Sequence, residues 1–189
     1  MGAEVNKLVE KVDTIARKAK ETFGGLSSAQ LNWKPDAENW SVGQCFDHLI
    51  RINSAYFPEL KSIIEGGRKQ TFWETSSPFS GYIGRWLYKS LSPKAERKLK
   101  APKMAEPAAS DISPRIIEDF SKHQLELADK FRQMEDLDTK KIIITSPFIR
   151  GVTYSLFDAC RIIVTHEQRH FEQAVRVSTG GNFPGKGDD

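Results

Sequence analysis

Residues 165–181 read THEQRHFEQAVRVSTGG, and within them His166, Glu167 and His170 spell H-E-x-x-H. Imidazoles at i and i+4 stand one above the other on a helix face and can clamp one metal ion. A glutamate in that pattern can act as general base toward water at the ion. The chemistry suggested is metal-assisted, provided something completes the ligand set. The pair can equally be hydrogen-bonded core residues, because so short a motif recurs by chance.

The neighbouring positions sharpen the question. Leu156, Ala159, Ile163, His166, His170, Gln173 and Val177 step by three and four, so two imidazoles and an amide occupy the inward seam of one helix. A buried polar group without a partner costs about 1–3 kcal/mol, so a seam with three of them is holding them for something. His48 falls one position off the inward line of an upstream helix, and in a bundle it can turn toward the pair. The candidate metal ligands are therefore His48, His166 and His170. Three neutral imidazoles leave a coordination position open, as catalytic rather than structural sites do. His123 lies on the margin of another apolar face and reads as a partly buried residue or as an extra ligand. Glu167 is the candidate catalytic residue, within reach of water at the ion; its plainer reading is an exposed carboxylate beside Arg169 and Arg51.

A classical zinc protease does not follow. Gln173 and Arg176 stand where a metzincin places glycine and its third histidine. Only 19 residues follow His170, with no later helix to supply a glutamate ligand. Peptide substrates of such enzymes also lie along a sheet edge, and no segment here shows convincing strand alternation. The stretch KIIITSPFIRGVTYS is the one short candidate.

Four helices are expected to position these residues. Val5, Leu8, Val12, Ile15, Ala19 and Phe23 form one apolar face, ended by Gly24-Gly25. A second helix opens at Ser41, with Gln44 in the capping-box position and Trp40 as a hydrophobic staple. Its inward line is Val42, Cys45, Leu49, Ile52, Tyr56, Leu60 and Ile63, with a kink expected at Pro58. A third opens with Ser113 as cap and Pro114 at the first helical position, burying Ile117, Phe120, Leu127, Phe131 and Met134. The fourth starts at Ser155 and runs to about Thr179. Single apolar stripes of this length pack most simply as an all-α four-helix bundle.

One domain is expected over 1–189, with a loose tail at 180–189. Residues 68–112 form a long insert between the second and third helices. Its aromatics, Phe72, Trp73, Phe79, Tyr82, Trp86 and Tyr88, argue for packing over one end of the bundle, and the run SPKAERKLKAPK reads as a solvated face. A net charge of +3 offers no nucleic-acid footprint. No apolar run spans a bilayer and no leader is visible, so a cytoplasmic protein without a membrane partner is expected. Cys45 and Cys160, too few for a disulfide framework, read as small buried hydrophobes.

Together, NWSVGQCFDHLIRIN, the downstream HEQRHFEQ and the closing Gly-Gly resemble the DinB/YfiT-like superfamily, in its DinB_2 branch. The resemblance covers nearly the whole chain in helix order. It implies a bundle in which His48, His166 and His170 hold a divalent ion such as Zn²⁺ or Ni²⁺, often in a homodimer, with Gln173 also matching a family position. It implies a metal-dependent enzyme acting on a small-molecule substrate, of the thiol S-transferase type with a low-molecular-weight thiol as cosubstrate. Two alternatives stay open: a hydrolase using metal-activated water with Glu167 as base, and a non-catalytic metal-binding stress-response bundle. For the transferase, Phe72, Trp73 and Trp86 are expected to form the apolar wall of the pocket.

Overall fold

In the computed structural model, which describes residues 2–93, 106–108 and 111–185, the four expected helices are present. They are α1 (Gly2–Phe23), α3 (Val42–Ile64), α6 (Ile116–Arg132) and α7 (Leu156–Ser178); short helices α2 (Ser28–Asn32), α4 (Phe72–Ser76) and α5 (Ser80–Ser90) lie between them. Both α1 and α3 pack against α6 and α7, so α1 and α3 face each other across one diagonal of the bundle. The seam residues of all four helices meet in one core, with Phe46, Phe120 and Phe131 fully enclosed.

Local chemistry sets the helix that carries His48. Ser41 Oγ accepts from Gln44 N at 3.1 Å while Gln44 Oε1 accepts from Ser41 N at 3.1 Å, closing the predicted capping box. The helix continues through Pro58 to Ile64. Helix α2, which carries its own capping box at Ser27 and Gln30, crosses the first turn of α3 so closely that a Cβ on Gly43 would lie 2.9 Å from the Leu31 carbonyl oxygen.

Four expectations change. Helix α6 starts at Ile116, after an Arg115 cap with no side-chain hydrogen bond. Ser113 and Pro114 belong to the turn before it, where Ser113 Oγ accepts from Arg115 N instead of capping the helix. The segment without convincing strand character forms a small antiparallel hairpin, β1 (Ile143–Thr145) and β2 (Thr153–Ser155), with Ile144 opposite Tyr154. Its hold comes from burial of both residues and from the Tyr56–Tyr154 hydroxyl contact of 2.8 Å. The tail is tied down as far as it is described: Phe183 packs edge-on against Trp33, and Gln30 Nε2 donates to the Pro184 carbonyl at 3.0 Å.

The fourth change concerns the insert. Most of its aromatics do not pack. Phe72, Trp73, Phe79, Tyr82 and Trp86 are all exposed, and only Tyr88 is partly covered, beneath the Arg161 guanidinium at 3.9 Å. What α5 buries is its small face, Ser80 and Gly84, together with Leu87. Most of SPKAERKLKAPK, and residues 186–189, lie outside the described residues.

Candidate metal centre

Helix α3 brings His48 and helix α7 brings His166 and His170 to one point. All three are buried, at 1%, 8% and 8% exposure, and one ligand atom from each lies within 4.8 Å of the others. His48 Nε2 stands 3.4 Å from His166 Nε2, and His166 Nε2 stands 3.1 Å from His170 Nε2. The rings cross at 60–71° with centroids 4.5–5.0 Å apart, so their edges rather than their faces converge. The sequence left His48 one position off the inward line; the bundle turns it fully inward.

Two of the donors are in ligand form. Burial, helped by the charges of His170, His48 and Arg169, holds His166 well below the usual histidine range. Burial first, then His48 and Arg169, lowers His170 to about 3, with half-buried Gln173 pulling the other way. Both rings are therefore neutral at physiological pH, with a lone pair available. Their Nδ1 atoms are buried without a hydrogen-bond partner among the described residues. Three imidazole edges aimed at one another, two of them held neutral, are the donor set a divalent ion satisfies. This buried group could hold a metal ion.

Trp40 closes one side. Its ring lies 4.7 Å from that of His48 and is stacked on His170 at 5.4 Å and 19°. The sequence assigned Trp40 only to stapling the helix, and placed Phe72, Trp73 and Trp86 at the pocket wall. Those three are exposed, and Trp73 Nε1 donates to the Gly151 carbonyl in the hairpin turn at 3.0 Å. The hairpin meets α7 at Ser155, 11 residues and about 16 Å of helix before His166. Among the described residues, Trp40, immediately before α3, is the aromatic ring packed against these histidines.

Glu167 is not the exposed carboxylate of the plainer reading. It is fully buried, and its Oε1 accepts from Asn53 Nδ2 at 2.7 Å and from Gln124 Nε2 at 2.6 Å. Burial pushes its carboxyl up to about 7, against the downward pull of the two amides. Its oxygens are not in the three-histidine group. Arg51 instead pairs with Asp47, and Arg169 donates to the Ser92 carbonyl. Asn53 and Gln124 went unremarked in the sequence, although Gln124 sits between Phe120 and Leu127 on the α6 seam, where an amide signals a partner.

His123 is buried but stands apart from the three-histidine group, its ring stacked on Phe57 at 4.8 Å and 11°. Cys45 and Cys160 are free, buried thiols, each pushed up to about 12 chiefly by burial, and they serve as core residues.

A helical bundle with a buried three-histidine cluster between its second and fourth long helices defines the class of protein. The DinB superfamily model matches residues 12–174, and the chain belongs to that superfamily. It is 29% identical over 156 residues, 81% of this chain and 86% of the relative, to the uncharacterized protein YuaE of Bacillus subtilis (strain 168). No solved structure matches. Among the described residues no helix is long and apolar enough to cross a membrane.

Proposed function

We propose that the chain is a metal-dependent enzyme of the thiol S-transferase type, with His48, His166 and His170 holding a divalent ion, Zn²⁺ or Ni²⁺. The observation that carries this reading is the convergence of three buried imidazoles, two of them held neutral, from two helices. An all-nitrogen set of three suits these borderline ions and leaves room for one more ligand. A divalent ion lowers the pKa of a coordinated thiol, so the sulfur of a low-molecular-weight thiol is presented as thiolate.

The chain's own residues supply the setting. Arg169 and Arg176 direct positive charge toward the histidines, as their effect on His170 records, and that charge also favours an anionic cosubstrate. Trp40 bounds the site with an apolar face and holds the ring planes of His48 and His170. The family resemblance adds a small-molecule substrate and a homodimer to this reading.

A second reading keeps the ligands and makes the reaction hydrolysis, with Glu167 accepting the proton of the attacking water. Burial supports it by raising the carboxyl toward neutrality. The two amides on Oε1 speak against it, because they fix the carboxylate toward α3 and α6.

One experiment tests the first reading and separates the second. Elemental analysis of the purified protein is followed by turnover assays with thiols, electrophiles and hydrolysable esters, for the native chain and for Glu167→Gln. The transferase reading expects about one divalent ion per chain and thiol transfer within a few-fold of native in Glu167→Gln. Protein that takes up no Zn²⁺ or Ni²⁺ overturns both readings. Ester hydrolysis that collapses in Glu167→Gln, without any thiol transfer, moves the assignment to the hydrolase.

A further inference from the structure

The insert helix α5 is oriented against the usual logic of burial. It turns Ser80 and Gly84 into the protein, while Phe79 at its cap, Tyr82 and Trp86 face outward at 64%, 68% and 51% exposure. The small face is needed where it lies: a Cβ on Gly84 would sit 2.6 Å from Asp158 Oδ2 and 2.9 Å from Asp158 Cβ, so α5 rests directly on α7. The aromatics at 79, 82 and 86 step by three and four and form one stripe. Phe72 and Trp73 of the neighbouring short helix α4 are exposed as well, at 83% and 57%. The Trp73 bond to Gly151 ties in the hairpin turn, where Ile149 is 44% exposed. These six residues are all but one of the large, exposed apolar side chains among the described residues; the other is Leu125 on α6. Scattered exposed apolar residues need no explanation, but their concentration in α4, α5 and the hairpin turn these helices pack on does.

Charge selects the occupant. Arg85 and Lys89 on α5 and Arg150 beside Ile149 are exposed, and none forms an ion pair among the described residues. Arg85 and Lys89 lie on the same side of α5 as Tyr82 and Trp86, one turn apart. The only acid between residues 69 and 90 is Glu74, which is buried and held by Arg68, Thr71 and Thr145. A second copy docked face to face would bring a cationic rim against a cationic rim. Anionic headgroups meet it instead, with Trp, Tyr and Phe seated at headgroup depth and Lys and Arg reaching the phosphates.

We propose that the outward aromatic face of α4, α5 and the hairpin turn is a docking surface for an anionic lipid bilayer, on which the protein lies without crossing it. This departs from the sequence expectation of no membrane partner, and it does not depend on the metal centre. Helix packing, hairpin pairing and the Trp73 bond hold the face ready before it meets lipid.

The test is cosedimentation of the full chain with vesicles of equimolar phosphatidylglycerol and phosphatidylcholine, and with vesicles of phosphatidylcholine alone. Partitioning about tenfold or more higher on the anionic vesicles is expected, falling in high salt. Tyr82→Ser/Trp86→Ser and Arg85→Glu/Lys89→Glu should each lower it about tenfold or more, with circular dichroism and melting temperature as in the native chain. Equal partitioning on both vesicle types overturns the proposal, as does binding that both variants leave intact. Binding to poly-L-glutamate with none to anionic vesicles overturns it in favour of an acidic polypeptide. Light scattering that shows a native dimer made monomeric by Tyr82→Ser/Trp86→Ser overturns it in favour of a second copy.

Discussion

His48 Nε2 and His166 Nε2 approach to 3.4 Å across 118 positions of sequence. The packing of α3 against α7 brings them there, and both rings are buried. Replacing His48 with Ala removes one of three donors while leaving α3 a good helix former in its place. The expected result is a fall in Zn²⁺ affinity on the order of a hundredfold or more, beyond the 10–100-fold that loss of a supporting group causes. Isothermal titration and elemental analysis measure it. Native stoichiometry and affinity in His48→Ala would sink the assignment of this residue as a ligand.

Trp40 offers an optical report of the same site. Its ring is in contact with those of His48 and His170, whereas Trp73 and Trp86 are exposed at the insert and Trp33 packs against Phe183. A paramagnetic ion such as Ni²⁺ bound at the histidines should quench the emission of Trp40 far more than that of the other three. Titrating Ni²⁺ into the native protein and into Trp40→Phe checks this. The saturable quench should be largely absent in the variant, although the variant still binds the ion. An undiminished quench in Trp40→Phe would place the ion elsewhere.

Glu167 joins three helices, since its Oε1 accepts from Asn53 on α3 and from Gln124 on α6. Glu167→Ala leaves both amide donors buried and unpaired. At about 1–3 kcal/mol for each of the two orphaned donors, a loss of about 2–6 kcal/mol in folding stability is expected. Glu167→Gln keeps an acceptor in place and adds a donor that Asn53 Oδ1 and Gln124 Oε1 lack, so its cost should stay below about 1.5 kcal/mol. Urea unfolding of the metal-free proteins distinguishes the two. Equal losses would mean that the amides do not depend on this acceptor.

The contrast between His48 and Glu167 indicates what sequence can disclose here. Three- and four-residue spacing located α1, α3, α6 and α7, because each helix has one buried stripe and the period survives in the chain. The same spacing placed His166 and His170 in a seam, and the capping box at Ser41 follows from local residue order, whereas the one at Ser27 went unremarked. What it could not give was rotation and docking. Whether His48 turns inward, and whether Glu167 faces solvent or two amides, depends on how the helices roll against one another. The exposed insert failed for a related reason: Phe72 and Trp86 signal burial by composition, yet Gly84 meeting Asp158 decides which side of α5 faces inward. The hairpin showed only as one short, unconvincing strand candidate, because three-residue strands are too short to display a period.

His123 sets an acid dependence of stability. Burial lowers it from its ordinary 6.5 to about 4, so the folded state binds this proton less readily than the unfolded chain. A depressed pKa means stability that is present above 6.5 and is lost as pH falls from 6.5 through about 4. That difference, at about 1.36 kcal/mol per unit, amounts to about 3 kcal/mol. His123→Phe keeps a ring to stack on Phe57 and removes the titration. Denaturant unfolding at several pH values between 4 and 7 should show a shallower decline for the variant. Parallel curves would show that His123 does not carry this dependence.

Gly43 connects the short helix α2 to the helix that positions His48. A Cβ at this position would meet the Leu31 carbonyl oxygen at 2.9 Å and Ile112 Cγ2 at 2.8 Å. A side-chain tip can swing aside, but the carbonyl belongs to α2, whose own Ser27–Gln30 cap fixes its path. Gly43 lies in the first turn of α3 with ordinary helical backbone, so Gly43→Ala gains about 0.5–1 kcal/mol of helix propensity. Overpacking of about 1–3 kcal/mol opposes it and should prevail, for a net loss of roughly 1–2 kcal/mol. Because α2 must move, the start of α3 moves with it, and Zn²⁺ affinity should weaken although position 43 touches none of the three histidines. Thermal unfolding and Zn²⁺ titration of Gly43→Ala measure both effects. A variant more stable than the native chain, with unchanged affinity, would show that α2 yields freely and that the glycine is not required for the close approach.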